Sequence, residues 1–130
     1  MIILTIKSDN PEAEISLFSD FEMIDQVVWT ADRNLARDIN LKIKDLLIKN
    51  NYNLKDLQGL IFYEGPGSFT GLRIGATVIN TLAYGQKIPI VGSRESDWLK
   101  KGIQKLKDNK NEKTVLPFYG SDANITTAKK

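Results

Sequence analysis

The chain first changes hydrophobic period near residue 31, and that change confines it to a mixed α/β architecture. Before it, Ile2, Leu4 and Ile6 alternate with Ile3, Thr5 and Lys7, and Ala13, Ile15 and Leu17 alternate with Glu14, Ser16 and Phe18. A period of two puts successive side chains on opposite faces of a strand. Asp9-Asn10-Pro11 and Ser19-Asp20 punctuate these runs, and Gln26–Thr30 is a third extended stretch, so the first thirty residues read as an antiparallel meander. After it, Leu35, Ile39, Ile43, Leu46 and Leu47 recur at helical spacing. That spacing predicts a helix over 33–50, with Asp32 as its N-cap. Leu41 and Ile48 fall off the stripe and give this helix a smaller second apolar face.

The rest alternates helix and strand. Leu54–Leu57 reads as a short helical turn, Leu60–Tyr63 as a strand buried on both faces, and Phe69–Tyr84 as a helix. Ile88–Val91 follows as another buried strand, then a helix over Ser93–Lys107 with Leu99, Ile103 and Leu106 on one face. After a polar loop, Asp108–Lys113, the run Val115–Tyr119 reads as a last short strand. Strands separated by helices pair in parallel through right-handed crossovers. A meander extended by parallel strands is the mixed-sheet layout of a ribonuclease H-like domain.

Composition excludes several chemistries. The 130 residues contain no cysteine and no histidine, which removes disulfides, thiol nucleophiles, His-based triads and zinc sites built on Cys or His. No apolar run approaches the roughly 18–20 residues that span a bilayer, and no basic region precedes the apolar N-terminus, so a cytoplasmic protein with no membrane partner is expected. Hydrophobic residues at 42% suit one domain, placed at 1–119 and followed by a basic tail at 120–130. Eight lysines against three acidic residues fall in 100–130, which leaves the remainder net acidic. Such an end can touch nucleic acid or be a solvated tail.

Gly65-Pro66-Gly67-Ser68-Phe69-Thr70-Gly71-Leu72-Arg73-Ile74-Gly75 lies between a buried strand and a helix. Ser68 or Thr70 can cap that helix, and amides at its start can hold an anion, which makes Gly65, Gly67, Ser68 and Thr70 candidate anion or nucleotide contacts. A P-loop would place Lys-Ser/Thr after Gly71, where Leu72-Arg73 stands, and a dinucleotide fingerprint begun at Gly65 would need glycine at Thr70. The helix is apolar on two sides, with Leu72, Ala76, Ile79 and Ala83 on one and Ile74, Val78 and Leu82 on the other. Gly71 and Gly75, one turn apart, leave a groove for a closely approaching backbone. Both sides need cover, from the sheet and from either the 33–50 helix or a partner.

The eleven-residue run, with Leu82-Ala83-Tyr84-Gly85 and Ile88-Pro89-Ile90-Val91-Gly92, resembles the TsaB (YeaZ) family over residues 1 to about 100. The resemblance implies the actin-like ATPase fold, two ribonuclease H-like halves in the family. It also implies a non-catalytic scaffold that acts with the transferase TsaD and the ATPase TsaE in making N6-threonylcarbamoyladenosine in tRNA, with tRNA an indirect partner. The family pairs with TsaD through helices that match 33–50 and 69–84 here. The implied contacts are Leu35, Ile39, Ile43, Leu72, Arg73, Ala76 and Ile79, with Gly71 and Gly75 permitting close approach. Arg73 could instead be a surface residue satisfying a local carbonyl. A homodimeric module using the same helices, with weak or no nucleotide binding, is the alternative reading.

Three features depart from the family pattern. Lys7 replaces an acidic residue after the first strand, so ATP hydrolysis is not expected, and weak ATP binding is the most nucleotide chemistry expected; no cofactor or metal is expected. Asn34 stands where a histidine is common. The chain is too short for two halves, yet Pro117-Phe118-Tyr119 resembles a Pro-x-Tyr near the family's end, so the second half is expected to be missing from within.

Overall fold

The computed structural model describes residues 1–31 and 34–120. Its elements are β1 (Ile2–Lys7), β2 (Glu12–Ser19), β3 (Glu22–Thr30), α1 (Leu35–Lys49), a 3-10 turn (Leu54–Asp56), β4 (Gly59–Tyr63), α2 (Phe69–Gln86), β5 (Ile90–Ser93) and α3 (Trp98–Lys107). One five-stranded sheet has the order β3-β2-β1-β4-β5. β1 pairs antiparallel with β2 and parallel with β4, and β5 extends the parallel half. The meander and crossovers read from periodicity are therefore present.

Alternation along β1 assigns the faces. Leu4 and Ile6 point with Ala13, Ile15, Leu17, Leu60 and Phe62 into a core shared with α1 and α2. Ile3 points the other way, with Phe18, Ile61 and Val91, and is covered by Trp98, Ile103 and Leu106 of α3. β4 is buried on both faces, as its continuous apolar sequence requires. Among the described residues, no helix is long and apolar enough to cross a membrane.

Several boundaries differ from the sequence expectation. β3 starts at Glu22, because the register with β2 shifts between Leu17 and Phe18 and carries pairing to the hairpin. The proposed cap Asp32 lies outside the described residues; Asn34 holds the N-cap position and α1 begins at Leu35. α2 continues through Gly85 and Gln86, and ends where Lys87 turns left-handed (φ 57°). β5 begins at Ile90 rather than Ile88, since Pro89 has no amide to donate and offers its carbonyl to Leu60 N. α3 begins at Trp98, not Ser93: Ser93 closes β5, and a turn with Glu95 at φ 78° intervenes. Trp98 joins Ile103 and Leu106 on the buried face, and Leu99 is only half-buried.

Val115–Tyr119 is not a strand. Asn80 takes both backbone groups of Val115, its Nδ2 donating to the carbonyl at 3.0 Å and its Oδ1 accepting from the amide at 2.9 Å. Phe118 N donates to Glu64 O at 2.7 Å, and Pro117 cannot donate. The segment is a strap held to α2 and to the end of β4. The basic tail, apart from Gly120, lies outside the described residues.

Candidate functional site

The glycine-rich turn packs on the turn after β1. Ser8, almost fully buried, donates its hydroxyl proton to Gly71 O at 2.8 Å. A Cβ on Gly71 would strike the Ser8 carbonyl, and one on Gly75 the Ser8 hydroxyl. The chain's own β1–β2 turn thus makes the close approach that these two glycines permit. Gly67 faces Asp9 in the same way. Ser68 N donates to Asp9 O at 2.6 Å, and Ser68 Oγ caps α2 by accepting from Gly71 N at 3.3 Å. Gly65 has φ 118°, and its missing Cβ leaves room for the Phe118 carbonyl. Of the four anion candidates, Gly65 and Gly67 pack against Phe118 and Asp9, Ser68 gives its amide to Asp9, and Thr70 is exposed on α2.

Lys7 sits beside this turn. Its ammonium pairs with Asp9 at 2.7 Å and lies 4.8 Å from the Tyr63 ring centroid. Glu64 pairs with Arg94 at 3.0 Å, and the guanidinium stacks 3.7 Å from the Phe118 ring centroid. The carboxyl ends of β1, β4 and β5 thus carry matched charges. Among the described residues, no three acidic side chains converge so as to hold a metal ion.

The helix face reads differently from expectation. Leu35, Ile39, Ile43, Leu72, Ala76 and Ile79 are all buried in the core under α1 and α2. An apolar stripe that covers a sheet has the same spacing as one that meets a partner, and in this chain the stripe covers the sheet. Arg73 alone of the set is exposed, its guanidinium 5.2 Å from the Phe69 ring centroid.

What remains accessible is the seam between α1 and α2. Ala36 of α1 lines a cleft of about 340 Å³ with Thr70, Arg73, Ile74, Thr77 and Val78 of α2. Further along, a groove of about 760 Å³ is lined by Ile43, Leu47 and Ile48 of α1, Leu82 of α2, and Tyr52 and Leu54 beyond α1. Ile48 is 61% exposed there. The off-stripe position of Ile48 was the sequence signal for this groove. The share of Tyr52 and Leu54 had no periodic signal, because one short turn places them. Asn53 builds that turn by accepting from Lys55 N while Asp56 accepts from Asn53 N.

Shifted ionisations lie away from the seam. Asp25 on β3 has its pKa lowered, first by the hydrogen bond from Asn50 at the end of α1, then by Gln26 N and Lys49. The N-terminal amine and then Lys107 lower Asp20. Glu95 and then Asp97 raise Lys101.

Comparison with known proteins places this arrangement. The family model described as TsaD, tRNA N6-adenosine threonylcarbamoyltransferase, matches residues 29–104. The tRNA threonylcarbamoyladenosine biosynthesis protein TsaB of Buchnera aphidicola subsp. Schizaphis graminum is 30% identical over 95 residues, which are 70% of this chain and 43% of that protein. TsaB of Escherichia coli K12 is 28% identical over 112 residues, 82% of this chain and 48% of that one. The solved structure of YeaZ from Pseudomonas aeruginosa aligns with a TM-score of 0.66 at 22% identity, covering 72% of this chain and 44% of the other. The fold is thus the α/β, ribonuclease H-like domain of the actin-like superfamily. The chain spans less than half the length of these curated relatives.

Proposed function

Since this chain belongs to the TsaB (YeaZ) family, within the wider family of the threonylcarbamoyltransferase TsaD, we propose that it is a non-catalytic partner subunit supporting a TsaD-type protein in the N6-threonylcarbamoyladenosine modification of tRNA. The observation that carries this reading is the open apolar seam between α1 and α2. A face of this kind, with Ile48 and Leu54 exposed and Leu82 half-buried along it, suits a helical partner surface. Arg73 and Thr77 supply a polar rim at the other end of the seam.

Two features support a supporting rather than a catalytic role. Lys7 brings a cation, locked to Asp9, to the position where the family carries an acid. In the glycine turn the Ser68 amide donates to Asp9 O and the Gly71 carbonyl accepts from Ser8, so these groups serve packing. TsaE enters the reading at the level of the pathway. Co-elution with the TsaD protein of the same genome tests the proposal: a stable complex supports it, and separate elution at micromolar concentration refutes it. A homodimer on the same seam would shift the reading to a self-associating module.

A further inference from the structure

A separate cleft lies on the edge of the molecule, between the end of α2 and the loop that follows α3. We propose that it binds an unpaired stretch of RNA. It has a volume of about 590 Å³ and is lined by Tyr84, Lys87, Ile88, Asn111, Lys113 and Thr114, among others, with no acidic residue in its lining. Tyr84 is 88% exposed, a flat ring left almost wholly to solvent. Neither the Lys87 nor the Lys113 ammonium has an ion pair or hydrogen bond among the described residues, unlike Lys101, Lys105 and Lys107 of α3. The nearest carboxylate in sequence, Glu112, is turned away: it accepts from Gly92 N at 3.0 Å and pairs with Lys105 at 3.3 Å.

The backbone at the two free lysines is itself unusual. Lys87 has φ 57° and Lys113 φ 67°, a region that favours glycine or asparagine. Asn111 holds the loop in place, its Oδ1 accepting from Ile90 N at 3.2 Å and Lys113 N at 2.8 Å. Its amide nitrogen donates to nothing among the described residues. An exposed ring, two unpaired cations and a free amide donor are what a stacked base flanked by phosphates requires. A base must leave its stack to lie on Tyr84, which selects an unpaired segment over a duplex. The choice of RNA rests on the proposed role in tRNA modification.

The test uses the full chain alone, without TsaD, so its failure is separate from a failure of pairing. The probe is a fluorescein-labelled stem-loop RNA with an unpaired loop, followed by anisotropy across a salt series. The expected result is binding that weakens about tenfold or more in K87E/K113E and about tenfold in Y84A, with the salt slope reduced by about 1 to 2 in the double variant. All three substitutions are at exposed positions, and circular dichroism checks that the variants fold. No binding, or binding that K87E/K113E leaves unchanged, overturns the proposal. So does binding that disappears on deleting residues 121–130 while ignoring K87E/K113E. A fully paired RNA or ATP bound as tightly as the stem-loop overturns it as well, and an acidic peptide bound more tightly would reassign the cleft to a protein ligand.

Discussion

Ser8 Oγ donates to the Gly71 carbonyl at 2.8 Å, and the same hydroxyl fills the space that a Cβ on Gly75 would need. This contact fastens the β1–β2 turn to the first turns of α2. Gly75→Ala would also bring its Cβ to 3.2 Å from Phe62 Cε1. The expected loss is about 1–3 kcal/mol, read as a lower urea midpoint at unchanged slope. In a Ser8→Ala background the same substitution should cost less, because the obstructing oxygen is gone. Equal cost in both backgrounds would place the strain elsewhere.

The same packing bears on nucleotide binding. Ser68 N already donates to Asp9 O, and Ser68 Oγ already caps α2. Isothermal titration with magnesium and ATP at millimolar concentration should therefore give no binding heat. A saturable isotherm would show that the turn opens.

Asn80 ties the strap to α2 through two hydrogen bonds with Val115. Asn80→Ala leaves both backbone groups of a buried residue without that partner. A cost of about 1–3 kcal/mol is expected, together with faster amide exchange from Val115 to Phe118. Unchanged exchange would mean that Phe118 and Tyr119 hold the strap on their own.

Asp25 links β3 to the end of α1 through Asn50 at 2.9 Å. That bond lowers the folded-state pKa below the unfolded value near 3.8. The unfolded state then binds more protons in acid, so the contribution is present above about pH 4 and lost as pH falls through the folded pKa. Asp25→Asn should melt below the wild type at pH 7, and the gap should close below pH 4. A gap independent of pH would assign the effect to shape rather than charge.

Much of this fold was legible in the sequence, for identifiable reasons. Alternation at Ile2–Lys7 and Ala13–Phe18 is read by both faces of the sheet, so those strands follow from period alone. The two-sided apolar pattern of α2 likewise reports real burial on two sides: Leu72, Ala76 and Ile79 are buried, as is Val78, and Leu82 is half-buried. Period could not separate intrachain burial from partner burial, which is why Leu35 and Ile39 read as contacts and proved to be core. Val115–Tyr119 carries strand-like residues, yet one side chain, Asn80, takes the hydrogen bonds a neighbouring strand would have taken. Ser8 gave no signal, since its role depends on a glycine 63 residues away.

The central claim is that the α1–α2 seam pairs with a TsaD-type protein, and Ile48 tests it most directly. It is 61% exposed in the apolar groove, so Ile48→Glu should leave the fold intact while placing a charge where the partner would sit. The measurement is light scattering on a size-exclusion column, with each form mixed with the TsaD protein of the same genome. The account predicts a one-to-one complex for the wild-type chain and separate peaks for the variant. A wild-type chain that elutes apart from TsaD, or a variant that pairs as well as the wild type, would contradict it.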